Sequence, residues 1–301
     1  MNGYADPLYA HSLAEFGTPR QLPGSGGWIL QRRIGCGDDW DGMGCYPLFT
    51  CRDWSRLPED LEELAQELVS LTLVSDPFAD CEPGLLQRTF ELARPFKQHF
   101  VADLSLPVEN IVSSHHARCT RRARQDITVE ITEQPYRYLN EWTGLYANLS
   151  ERFDVKGIRA FSPEAFRQQL AIPGAVMFRA LHQGVAVTSH LVLRRGDVCY
   201  GHLVGSSPLG QKLMASYPLY WTELEYFAGR ARWFDWGGAA GLNADSDCGL
   251  NKFKRGWSTG TRNSWLCGRI FRHQRYAELV REHAQPESGD YFPAYRAGEF
   301  G

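Results

Sequence analysis

The chain lacks any apolar run near the roughly 20 residues that cross a bilayer, so no membrane partner is expected. Its first residues lack a basic stretch followed by an apolar one, so no secretory signal is expected. Eight cysteines stand at positions 36, 45, 51, 81, 119, 199, 248 and 267, with no CxxC pair and no zinc-knuckle spacing. They read as free thiols of a reducing cytoplasm. The nine histidines form no HExxH cluster, so no metal is expected. His115 and His116 are adjacent, their side chains diverge on any regular element, and a surface or loop role is the expectation. There is no Walker A lysine loop and no GxGxxG after a strand, and no cofactor is expected. A net charge of −3 argues against a nucleic-acid coat, and no DNA partner is expected.

What is present suits a folded chain of two domains. The 301 residues are 43% hydrophobic and 13% aromatic, enough for a sizeable core. Charge is uneven: residues 1–112 hold 8 Lys/Arg and 17 Asp/Glu, net −9, and the rest holds 24 and 18, net +6. Different partners for the two parts, or ordinary drift along the chain, both fit this.

Residues 1–27 read as an irregular arm. Residues 28–34 read as a strand, 35–44 as a Gly/Asp-rich loop, and 57–68 as a helix with Pro58 and acids in its first turn. Strand 69–74, helix 84–93, strand 97–104, a basic helix 113–125 and strand 127–132 follow. The order then restarts. Helix 134–152 is amphipathic. A second helix opens at Ser162-Pro163-Glu164 and ends at 170. Residues 175–181, 184–193 and 198–204 form a meander. Helix 213–229 carries Pro218, where a kink is expected. Strand 232–236, a glycine-rich loop 237–241, strand 264–271 and helix 275–283 complete the order. The tail near residues 291–296 is expected to pack back on the first part.

Three segments carry chemistry: GSSPLGQKLMASYPLYW (205–221), FDWGG (234–238) and NKFKRGW (251–257). In this order and at these separations they resemble the second domain of the Fem transferases and their GNAT relatives. The resemblance covers most of 113–283 and includes the Arg-rich helix at 118–124. It implies an α+β fold of tandem GNAT-like (acetyltransferase) domains with mixed β-sheets. The first would span 28–133 on the acceptor side and the second 134–284 on the donor side, with a tail at 285–301. It also implies a reaction, in which an acceptor amine attacks the ester of an aminoacyl-tRNA and an amide forms. Lys254 matches the lysine of the family's Phe-Lys pair and would stabilise the tetrahedral intermediate or the leaving ribose oxygen. Phe253 would shape the pocket for the terminal nucleotide. The chain is shorter than larger family members and lacks their inserted coiled-coil arm. Its first half does not match the acceptor-binding residues. The acceptor is expected to be an amine-bearing peptide or small molecule, with a small peptide or metabolite as good a reading as the family's peptidoglycan precursor.

The residues themselves allow more than one reading. Ester-to-amine transfer is downhill and needs positioning and an oxyanion stabiliser. Lys252, Arg255 and Arg262 would meet tRNA phosphates and Trp257 would stack on terminal bases; a solvated basic turn is the plain alternative. Asp235 would accept a proton from the amine, or cap the glycine loop. Ser206 and Ser207, before a helix, would help present backbone N–H groups to a phosphate. Tyr217 would reach the pocket or simply pack. Asp38 and Asp41, beside Trp40, would hold a cationic acceptor or form a solvated turn. Arg118, Arg121 and Arg122 share a helix face, for a tRNA backbone, an inter-domain contact or solvent. Two further functions compete: a CoA-dependent N-acyltransferase, disfavoured because no clean Gln/Arg-x-x-Gly-x-Gly/Ala signature is present, and a non-catalytic GNAT-like binding protein.

Overall fold

The structure, a computed structural model, describes residues 3–82, 84–238, 249–283 and 291–299. Along the chain come α1 (Pro7–His11), β1 (Thr18–Gln21), β2 (Trp28–Arg33), β3 (Trp40–Gly44), α2 (Leu57–Leu64), β4 (Leu68–Val74) and α3 (Leu85–Thr89). Then follow β5 (Leu92–Asp103), α4 (Val108–Ile111), α5 (Ser114–Ala123), β6 (Thr128–Thr132), α6 (Leu139–Phe153) and α7 (Pro163–Gln169). The remainder is β7 (Val176–His182), β8 (Val185–Arg195), β9 (Val198–Ser206), α8 (Pro208–Lys212), α9 (Ser216–Phe227), β10 (Trp233–Gly238), α10 (Gly249–Arg255), β11 (Gly260–Ile270) and α11 (His273–His283). This is an α+β chain with mixed sheets.

Over the described residues the chain forms two compact units. The larger takes Lys97–Val155 and Phe161–Asn263, and the smaller takes Tyr4–Phe96, Lys156–Ala160 and Ser264–Gly301. In the larger unit the strands run in the order β5-β10-β9-β8-β7-β6. β9 and β10 are parallel and the other pairs antiparallel. The meander follows from its turns: Gln183 and Gly184 both adopt positive φ, 51° and 79°, the backbone of a tight hairpin. One face of this sheet is covered by α9, whose Leu219, Leu224 and Phe227 join Phe178, Val192, Phe234 and Trp257 in the core. Pro218 lies in the first turn of α9. No intrahelical bond is lost there, so the expected kink has no cause.

In the smaller unit the order is β1-β2-β3-β4-β11, around Ile29, Phe49, Leu61, Leu71 and Cys267. Part of the expected 35–44 loop is the strand β3. A Cβ at Gly42 or Gly44 would meet Leu71 Cδ1 at 2.8 Å or Leu73 Cβ at 2.6 Å, so here glycine marks close packing rather than a loop. The stretch expected to be irregular, 1–27, carries α1, capped by Asp6, and β1, which pairs with β2. The expected helix at 84–93 is the five-residue α3, with β5 starting at Leu92. The tail packs back within this unit: Tyr295 and Arg296 both bond to Asp41.

Candidate functional site

The site grows from one departure from regular pairing in the larger unit. β10 follows β9 only through Trp233–Val198, Phe234–Cys199 and Asp235–Tyr200. Beyond these pairs β9 runs on to Ser206 against β8 alone. β10 meanwhile shifts register against β5 between Asp235 and Gly238. Among the described residues the two parallel strands therefore pair no further with each other from Gly201 and Trp236 onward, and Gly201 to Val204 are only half-buried. Glycine is required at the turn of β10: Gly237 has φ 76°, a conformation that L side chains rarely adopt.

The helix α10 brings Lys254 to this turn. Its Nζ donates to the Gly238 carbonyl at 2.6 Å, and a Cβ on Gly237 would lie 3.2 Å from it. Lys254 is half-buried, and its ammonium stands where the strands separate. Behind it is a box of rings. Phe253 lies 5.3 Å from Tyr217 and 5.2 Å from Tyr220. His116, on α5, lies 5.2 Å from Tyr217, 5.5 Å from Phe253 and 4.9 Å from Trp257. The surface or loop role expected for His116 is corrected: its ring is 6% exposed and bonds Ser113 Oγ at 2.7 Å through Nδ1. Burial, then the neighbouring His115, push its pKa down to about 4. Only glycine at 256 leaves room for this ring, since a Cβ there would fall 2.0 Å from Cε1.

Two buried imidazole–carboxylate pairs stand near the point where the strands part. His99 Nδ1 bonds Asp235 Oδ2 at 2.9 Å, while Asp235 Oδ1 accepts the Gly237 N–H at 2.7 Å. His190 Nδ1 bonds Glu223 Oε1 at 2.8 Å. Burial pushes the Glu223 carboxyl up, and His190 pulls it back. Neither pair shows in the sequence: the partners are 136 and 33 positions apart, and no local motif links them. His116 and Gly256 were missed for the same reason, although Gly256 directly before Trp257 was a weak signal of close packing.

The structure brings together Lys254, Phe253, Tyr217 and the β10 turn that holds Asp235. Asp235 caps the glycine turn, as its plain reading had it, and also holds His99. Tyr217 is half-buried, and burial, then Cys119, push its hydroxyl pKa up. Lys252 and Arg255 are exposed on α10, so these cations lie on a helix rather than a turn. Arg262 is exposed on β11, 4.9 Å from the Trp233 ring. Ser206 bonds Thr188 Oγ1 at 2.7 Å. Ser207 caps α8, accepting the Gly210 N–H at 3.1 Å and donating to the Val187 carbonyl. The base-stacking expectation for Trp257 is corrected, because its ring is 0% exposed in the core. In the smaller unit Asp38 is exposed beside Arg33. The acceptor expectation for Asp41 is corrected as well: it is 1% exposed, and its oxygens take Arg296, Tyr295 and Arg32. Among the described residues no group of three His, Cys, Asp or Glu could hold a metal ion, and no helix is long and apolar enough to cross a membrane.

No protein-family model and no curated protein matches the chain. Solved structures do match. FemX superposes over 90% of this chain and 93% of its own, at TM-score 0.65 and 13% identity. This is the fold of FemX. The C-terminal domain of a putative lysylphosphatidylglycerol synthetase from Agrobacterium fabrum matches over 93% of both chains at TM-score 0.65 and 12% identity. L-PGS from Bacillus licheniformis matches over 89% of this chain and 93% of its own, at TM-score 0.56 and 15% identity. The Fem-like α+β fold implied by the three sequence segments is thus the fold observed.

Proposed function

We propose that the chain is an aminoacyltransferase that takes its acyl group from an aminoacyl-tRNA and joins it to an amine of a peptide or small molecule. One observation carries this reading: Lys254, the lysine of the Phe-Lys pair, sits half-buried against the Gly237–Gly238 turn where β9 and β10 part. A cation there stands where the two strands part, in a chain with the FemX fold.

The chemistry follows from the parts. The amine nitrogen attacks the ester carbon and the carbonyl oxygen becomes an oxyanion. An ammonium in a partly dry setting stabilises that charge far better than water does. A lysine has three N–H donors; one of them goes to Gly238 O, which fixes the direction of the side chain. Collapse of the intermediate releases the ribose oxygen and leaves an amide. Lys252, Arg255 and Arg262, all exposed on this unit, supply sequence-tolerant phosphate contacts for the tRNA end. The half-buried Phe253 gives the terminal nucleotide an apolar wall. Asp235 organises the turn.

The test is conjugation. Purified protein with total charged tRNA and candidate amines should yield products heavier by one aminoacyl residue, and RNase should abolish them. Release of CoA from acyl-CoA, indifferent to RNase, would replace this reading with the CoA-dependent one. No turnover with either donor would leave a binding protein. The likeness to a lysylphosphatidylglycerol synthetase supports a second acceptor class, a lipid hydroxyl; an ester product labile to mild base would mark it.

A further inference from the structure

Resting on the aminoacyl-transfer reading, we infer that His190, held by Glu223, takes the proton from the attacking amine and returns it to the departing ribose oxygen. His190 lies on β8 and is 2% exposed, and Glu223 on α9 is 0% exposed. An imidazole–carboxylate pair so deeply buried is costly compared with apolar side chains of similar size, and Glu223 Oε2 is buried without a hydrogen-bond partner. Packing alone does not explain such a pair.

Its direction does. Nδ1 is committed to the carboxylate at 2.8 Å. With Nδ1 carrying the hydrogen, the Nε2 lone pair becomes the basic site. The Nε2 edge lies over Gly201: a Cβ built on that glycine would stand 2.9 Å from both Nε2 and Cε1. Gly201 is the first residue of β9 past its last pairing with β10. The missing side chain therefore leaves room for the imidazole over the point where the two strands cease to pair. The ring is held in plane by Tyr220, stacked at 5.1 Å and 25°. Tyr220 stacks in turn on Trp236 of β10 at 4.7 Å and 15°. Glu223 and Tyr220 face the ring from α9. From β9, His202 is pushed down to about 3, by burial first and by its neighbour His190 second.

The step balances. The amine nitrogen forms the C–N bond and gives one proton to Nε2. The ester C–O bond breaks, and the ribose oxygen takes that proton as it leaves. Glu223 accepts the Nδ1 hydrogen and so steadies the transient imidazolium.

The experiment compares two nucleophiles at one charged tRNA: an alkylamine, whose addition product must shed a proton to a base, and hydroxylamine, whose addition product loses it readily to water. A positioned general base contributes about 10²–10⁴-fold. His190→Gln should lose about that factor with the alkylamine and less than about tenfold with hydroxylamine. Glu223→Gln should show the same selectivity, more weakly, and serves alone should His190→Gln fail to fold by thermal melt. Equal losses with both nucleophiles would assign the pair to positioning and overturn the inference, and so would no loss with either. Those outcomes leave the aminoacyl-transfer reading standing. Wild-type protein that makes neither amide nor hydroxamate overturns both together.

Discussion

Gly256 is the most demanding position in the site, and its replacement gives a sharp test of the ring box. Gly256→Ala would set a methyl carbon 2.0 Å from His116 Cε1, 2.2 Å from Nδ1 and 2.6 Å from Nε2. Non-bonded carbons rest at about 3.5–4.0 Å, so the ring or the end of α10 must move by more than an ångström. The ring has little freedom. Ser113 holds Nδ1 at 2.7 Å, and Tyr217, Phe253 and Trp257 surround it. The backbone is tied too, since Ser113 N donates to the Gly256 carbonyl at 2.9 Å. Overpacking of this kind costs about 1–3 kcal/mol. At about 2–4 °C per kcal/mol for a chain of this size, the melting temperature should fall by about 2–12 °C. Adding His116→Ala removes the obstructing ring, so the double variant should be less destabilised than the sum of the singles. Urea and thermal unfolding of the four proteins measure this. A Gly256→Ala variant with the wild-type midpoint, or strict additivity in the double variant, would refute the packing argument.

Three further outcomes follow. His116 is pushed down from 6.5 to about 4, so the folded chain binds fewer protons than the unfolded one between those values. Its contribution is full above pH 6.5 and is lost as pH falls toward 4. The urea midpoint of His116→Gln should therefore drop less steeply than wild type over that window, and parallel slopes would contradict this. Arg296→Ala removes donors at 2.5 and 3.0 Å from the buried Asp41 and should cost about 3–5 kcal/mol in urea unfolding; a change below 1 kcal/mol (about the worth of an exposed pair) would show that Asp41 is not held as described. Gly210→Ala would press a methyl to 2.2 Å from the Val187 carbonyl oxygen. A backbone atom cannot swing aside, so this variant should melt lower than Gly249→Ala, where nothing lies within 4 Å of the new methyl.

Much of the fold was legible because it is local. The meander follows from alternating apolar residues and the turn at Gln183-Gly184. The start of α7 follows from Ser162 as its cap. The three motif segments pointed to the FemX fold and to Lys254. What the sequence concealed depends on long-range packing. Gly42 and Gly44 looked like loop residues because nothing nearby in sequence tells of Leu71 and Leu73 pressing on β3. Trp257 looked like a stacking platform because an aromatic beside cations does not disclose that its ring faces the core. Asp41 looked like a surface anion because its partners Tyr295 and Arg296 lie over 250 positions away. His99 and His190 were invisible as site residues for the same reason.

The central claim is that the Lys254 ammonium offsets charge as the acyl group changes hands. The most direct measurement is the single-turnover rate of aminoacyl transfer from charged tRNA by wild type and by Lys254→Ala. The rate should fall about 10²–10³-fold in a variant whose melting temperature stays within a few degrees of wild type. A folded Lys254→Ala protein that transfers at the wild-type rate would contradict it.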